Sequence, residues 1–217
     1  MNYSGRWAAV GLVVFSAPCT LAGQVRAIPV STGAAGTVRV FAESTEIRIA
    51  REAVSGSISR DADVYVYQQG RFVKAASGSN GFACMVARSD QAASLFPMCF
   101  DSVGARTLMQ REMMRVELYA AGVPYEGIRG KIDSAFADGR LTRPDRPAFI
   151  YMMSPHQDLF NNTRELGRWE PHVMIYLPHT TAAQYQQLPS MMGIDPEDKE
   201  GVEIIVAMPD WSDQDSH

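Results

Sequence analysis

Asp63-Val64-Tyr65-Val66-Tyr67, then Gln69-Gly70, then Arg71 to Ala76, is the stretch that decides the fold. The first run is β-branched and aromatic, which suits a pleated, half-buried strand. Gln69-Gly70 is a turn, and Arg71 to Ala76 returns as a second strand, so the segment predicts a hairpin. Ser77-Gly78-Ser79-Asn80-Gly81 follows as a dense turn cluster. Phe82 to Arg88 predicts a third strand, with Phe82, Cys84 and Val86 on one face. Phe96 to Asp101 predicts a short fourth strand. Its Pro97 places it at an edge, because proline cannot donate to a ladder.

Away from this centre the period changes. Upstream, Glu43 to Ile58 carries Ile47, Ala50, Val54 and Ile58 at helical spacing, with Ser44 as the expected cap. Downstream, Arg106 to Ala121 has a stripe of Met109, Met113, Val116 and Ala120 ending at Gly122. Tyr125 to Asp138 has Ile128, Ile132, Ala135 and Phe136, ending at Gly139. Ala148 to Met153 is apolar on both faces, as for a central strand. Val173 to Leu177 and Val202 to Met208 predict two more strands, and Thr181 to Leu188 a short helix. Between them lie a polar loop, Ser154 to Glu170, and an acidic loop, Pro189 to Gly201. Strands cluster rather than alternate with helices. The expectation is an α+β domain with a largely antiparallel sheet of about six or seven strands and three or four helices.

The amino terminus points to export. Trp7 to Ala17 is apolar and 11 residues long. Spanning a bilayer takes about 20 such residues, so the run has the length of a signal-peptide core. Residues 1–27 are therefore expected to be a leader, with cleavage after Ala22 or Ala27, and residues 28–42 a loose segment. A single domain over 43–209 and a polar tail over 210–217 complete the layout. Cleavage removes Cys19 and leaves Cys84 and Cys99. An even count in an exported chain reads as one disulfide, with two buried thiols as the alternative. A lipid anchor on Cys19 fits poorly, given Ser16 and Pro18 ahead of it. The expected location is periplasmic or extracellular.

The chain is 46% hydrophobic and 20% charged, with a net charge of −4, which suits a packed globular domain. No basic stripe appears, so nucleic acid is not an expected partner. No second apolar run reaches membrane length, so the mature chain is expected to lack a transmembrane span.

Four segments together resemble a group of uncharacterised exported bacterial proteins. They are Ser77 to Cys84 (SGSNGFAC), Pro97 to Asp101 (PMCFD), Tyr151 to Ser154 (YMMS) and Pro171 to Tyr176 (PHVMIY). The shared pattern is NGFxC, PxC and PHxM, spread over about residues 62–208. The approach to Cys84 has Ser79 where the group would carry threonine. The resemblance implies export and the Cys84–Cys99 bond, and implies no reaction.

Candidate chemistry concentrates late in the chain. His156, Asp158, Glu170, His172 and His179 lie within 24 residues. Imidazoles and carboxylates serve zinc and acid–base catalysis alike. The candidate catalytic set is His172 with His156 or Glu170. Against it, His172 and His179 are seven apart, which on one strand sends them to opposite faces. No HExxH motif is present, and the competing expectation has His172 capping its strand. Ser154-Pro155-His156 sets a hydroxyl near an imidazole without a GxSxG elbow. The methionine pairs, 113–114, 152–153 and 191–192, suit core filling better than copper. The Ser77–Gly81 turn lacks a phosphate-loop signature, and Asp195 to Glu200 lacks a calcium-loop pattern. No cofactor and no metal are assigned. The sequence thus supports a non-catalytic binding or envelope-associated module, its partner a small molecule or an envelope protein. The alternative is a hydrolase or metal-dependent enzyme built on His172.

Overall fold

The computed structural model describes residues 38–89, 94–160, 166–181, 192–195 and 201–208. The expected leader, the polar tail and nearly all of the expected 181–188 helix lie outside the described residues. In chain order the helices are α1 (Glu43–Arg51), α2 (Gly56–Ser59), α3 (Ser102–Arg106), α4 (Leu108–Ala120) and α5 (Tyr125–Ala137). The strands are β1 (Asp63–Gln68), β2 (Arg71–Ala76), β3 (Ala83–Ala87), β4 (Phe96–Phe100), β5 (Ala148–Met152), β6 (Asp158–Phe160), β7 (Leu166–Arg168), β8 (His172–Pro178), β9 (Met192–Asp195) and β10 (Gly201–Ala207).

Eight strands form one mixed sheet in the order β2-β1-β3-β4-β5-β8-β10-β9, while β6 and β7 pair as a separate ribbon. Every neighbouring pair of the large sheet is antiparallel except β1 and β3. The α+β class and its largely antiparallel sheet follow.

The parallel pair has a local cause. From β2 the chain crosses the start of β1 to reach the other side of the hairpin. The turn cluster makes that crossing tight. Ser79 and Asn80 donate their amides to the Asp61 carbonyl, Gly78 donates to the Asp63 carboxylate, and Asp63 donates its own amide to Phe82. A Cβ on Gly78 would lie 2.1 Å from the Asp61 oxygen, so only glycine fits.

Side chains alternate across the sheet and bury both faces. Met85, Met98, Phe100, Ile150 and Tyr176 meet Leu108, Met109 and Val116 of α4 and Ile128 and Ile132 of α5. On the opposite face Val64, Cys84, Val86 and Cys99 meet Ile49 and Ala50 of α1. Full burial of one such aliphatic or aromatic side chain is worth about 1.5–3 kcal/mol. Cys84 and Cys99 face each other directly across β3 and β4, Cα atoms 4.0 Å apart, and form the expected disulfide beneath α1.

Several local expectations need correction. Pro97 is not on an edge strand, since β4 lies between β3 and β5. Directly opposed residues of an antiparallel pair alternate between hydrogen-bonded and non-bonded. The close Cys84–Cys99 pair is non-bonded, and so is Val86–Pro97 two residues along, so the Pro97 nitrogen turns away from β3. On its other side β4 pairs with β5 only at Cys99 and Phe100, and with Asp158 only at Leu95. Proline falls in the gap, where no donor is needed.

The helix expected over 43–58 ends at Arg51, and a short α2 follows after a turn. Its N-cap is Ala42 rather than Ser44, with no side-chain cap bond. The loose segment is not loose throughout, because Val38 and Phe41 are 7% and 8% exposed and belong to the two core faces. Two expected loops carry strands: β6 and β7 within 154–170, and β9 within 189–201.

Candidate functional site

His172 opens β8, where it is paired with Met152 of β5 and Ala207 of β10. It is 2% exposed. Its Nδ1 lies 2.7 Å from the Glu170 backbone oxygen. A carbonyl only accepts, so Nδ1 carries the proton and Nε2 holds a lone pair. That Nε2 is buried and has no hydrogen-bond partner. Burial pushes the imidazole below its ordinary value, against a smaller upward pull from the Glu170 carbonyl. The ring of Trp169 stands 5.4 Å from that of His172.

Glu170 meets His172 through its main chain, and its side chain is exposed. His156 faces elsewhere. Its Nδ1 lies 3.2 Å from Glu52 Oε2 at the end of α1, and its side chain is 66% exposed. The Ser154 hydroxyl donates to the same Glu52 oxygen at 3.1 Å and accepts the His156 amide. Ser154 is fully buried and is engaged by a carboxylate rather than by the imidazole. The expected set of His172, His156 and Glu170 is therefore divided between two polar centres. His179 is exposed at a turn, with φ of 58°. Among the described residues no three His, Cys, Asp or Glu side chains come together as a metal site. None of the described helices is long and apolar enough to cross a membrane.

Two participants had little or no signal in the sequence. Glu52 gathers Ser154 and His156 from about a hundred residues away. Gln157 is fully buried, and its Nε2 donates to the Met152 carbonyl at 3.0 Å and to the Glu170 carbonyl at 3.1 Å.

A cavity of about 200 Å³ opens between α4 and α5, away from the histidines. Arg111, Arg115 and Tyr119 line it from α4, four residues apart and so on one stripe. Ile128, Ile132 and Phe136 form its apolar wall on α5, where Glu126, Arg129 and Asp133 add charges of both signs. The Arg143 guanidinium lies 3.9 Å over the Phe136 ring. Behind the cavity Arg111 bonds Glu112 at 3.0 Å and Glu203 of β10 at 2.7 Å, tying α4 to the sheet. The spacing of 111, 115 and 119 was the available sequence signal for this stripe.

No protein-family model matches this chain, and no curated protein or solved structure matches it.

Proposed function

We propose that this protein is an exported, non-catalytic binding module, periplasmic or extracellular, whose ligand is a small molecule or an envelope protein. The carrying observation is that the cavity between α4 and α5 is lined by arginines, aromatic and aliphatic groups and carboxylates, with no imidazole or thiol among the described residues. An apolar wall of Ile128, Ile132 and Phe136 ringed by six charged side chains makes a concave site that holds a small molecule by both apolar and polar contacts. The division of His156 and His172 between two centres supports binding over hydrolysis. The leader-like first 27 residues and the likeness to exported bacterial proteins support the location.

Native mass spectrometry of the protein purified from an exported fraction tests both halves. Export predicts a chain beginning at Gly23 or Ile28. Binding at the cavity predicts a retained small molecule that is lost when Ile132→Phe narrows the apolar wall, with the far-ultraviolet spectrum unchanged. A full-length cytoplasmic chain overturns the location. Substrate turnover abolished by His172→Ala overturns the non-catalytic reading.

A further inference from the structure

We propose that the cavity between α4 and α5 takes a free amino acid with an apolar side chain, its ammonium held by Glu126 and Asp133 and its carboxylate by Arg129. This rests on the reading of that cavity as a small-molecule site and names the class of ligand.

Four arginines in the lining suggest an anion at first sight. Their partners argue otherwise. Arg111 is bonded to Glu112 and Glu203, and Arg115 lies 3.6 Å from Glu112. Both of those carboxylates are 3% exposed, so this cluster answers its charges within the fold. The Arg143 guanidinium covers the Phe136 ring.

The unspent charges are on α5. Glu126, Arg129 and Asp133 line the cavity and are exposed. Among the described residues, their side chains have no ion-pair or hydrogen-bond partner. They are three and four residues apart, so they share one stripe of the helix, with a cation between two anions. A phosphate or other net anion would meet two carboxylates for one guanidinium. A bare amine would leave Arg129 unanswered. An α-amino acid carries both charges on one carbon and answers all three side chains, through charge-assisted hydrogen bonds.

Beside this stripe stands the apolar wall. Ile128 and Ile132 are buried, and Phe136 is partly buried against the same core. A dry cavity of about 150 Å³ admits benzene. The cavity here, about 200 Å³, has room for a leucine- or phenylalanine-sized side chain with its charged head at the rim.

Isothermal titration of the purified protein with L-phenylalanine and L-leucine tests the class. N-acetyl-L-phenylalanine, which lacks the ammonium, and 2-phenylethylamine, which lacks the carboxylate, are the controls. Each control should bind about tenfold or more weakly than phenylalanine. Glu126→Gln/Asp133→Asn should weaken phenylalanine about tenfold and leave the acetyl compound no weaker. Arg129→Gln should weaken phenylalanine and leave 2-phenylethylamine no weaker. All three side chains are exposed, and an unchanged far-ultraviolet spectrum verifies that the variants fold. The proposal is overturned if neither amino acid binds, if either control binds as tightly as phenylalanine, or if affinity is unchanged in Glu126→Gln/Asp133→Asn. Native mass spectrometry separates this outcome from the broader reading. A retained molecule of another class, lost in Ile132→Phe, overturns the amino acid and leaves the cavity as a binding site. No retained molecule and no titration response overturn both.

Discussion

Glu46 and Arg88 form a 2.7 Å ion pair in the fork where β1 and β3 separate. The two strands pair only at Asp63–Ala83 and Val64–Cys84. Beyond that point the ion pair takes over the bonds of the ladder. The Tyr67 amide donates to Glu46 Oε1 at 2.8 Å, and Arg88 Nη1 donates to the Val86 carbonyl at 2.6 Å. Arg88 Nε also holds the Arg39 carbonyl, and the guanidinium lies 5.4 Å from each of the Phe41 and Tyr67 ring centres. One buried arginine thus binds residues 38–42, α1 and both strands.

Breaking this pair from one side leaves a buried charge alone. Glu46→Ala or Arg88→Met should each cost about 3–5 kcal/mol. The double variant should cost clearly less than the sum, because no charge is stranded. Urea unfolding of the two single variants and the double variant measures the coupling.

Acid should weaken the fold through His172. Its folded-state value lies below the ordinary 6.5, so the unfolded chain binds the proton more readily. Stability is then full above about pH 6.5 and falls as pH drops toward the lower folded-state value. Glu46 acts in the opposite sense. Burial raises its carboxyl above 4.5 despite the pull of Arg88, so its contribution is full below that value and declines as pH rises through the folded-state value. Urea midpoints across this range should show a shallower acid limb in His172→Gln and a shallower rise-and-decline in Glu46→Gln.

The Cys84–Cys99 bond closes a separation of 15 residues. Its loss should cost about 3 kcal/mol in the chain-entropy account. The comparison is the urea midpoint of the oxidised chain against Cys84→Ala/Cys99→Ala, with an unchanged far-ultraviolet spectrum expected for the variant at zero urea.

Two glycine substitutions should move stability in opposite directions. Gly78→Ala drives a methyl group into the Asp61 carbonyl and should destabilise by several kcal/mol, at about 3 or more if the crossing shifts. Gly130 sits inside α5 with open space around its Cα. Gly130→Ala should stabilise by about 0.5–1 kcal/mol, through helix propensity alone. Thermal melts of the pair decide both signs.

Much was legible from neighbours along the chain. The hairpin over 63–76 came from alternation and a glycine turn, and it stands with β1 and β2 in the expected residues. Gly122 and Gly139 end α4 and α5 at φ of 75° and 77°, as their left-handed caps require. The cysteine pairing followed from a count. Each of these depends on residues close in sequence or on a two-member choice.

What the chain order did not display was which strands meet. Pro97 signals an edge to any local rule, and only the staggered ends of β5 and β6 leave a gap for it inside the sheet. Glu46, Arg88, Glu52 and Gln157 carry no motif, because most of their partners lie 5 to 104 residues away and are chosen by register. His172, Glu170 and His156 were legible as residue types but not as an arrangement. Side-chain period and turn chemistry determined most of the large elements and the α+β class, and the cysteine count the disulfide, from sequence alone. The tertiary structure alone decided that His172 is buried while His156 faces solvent. That difference is one of burial, which depends on everything packed around a side chain and on nothing in its own sequence window.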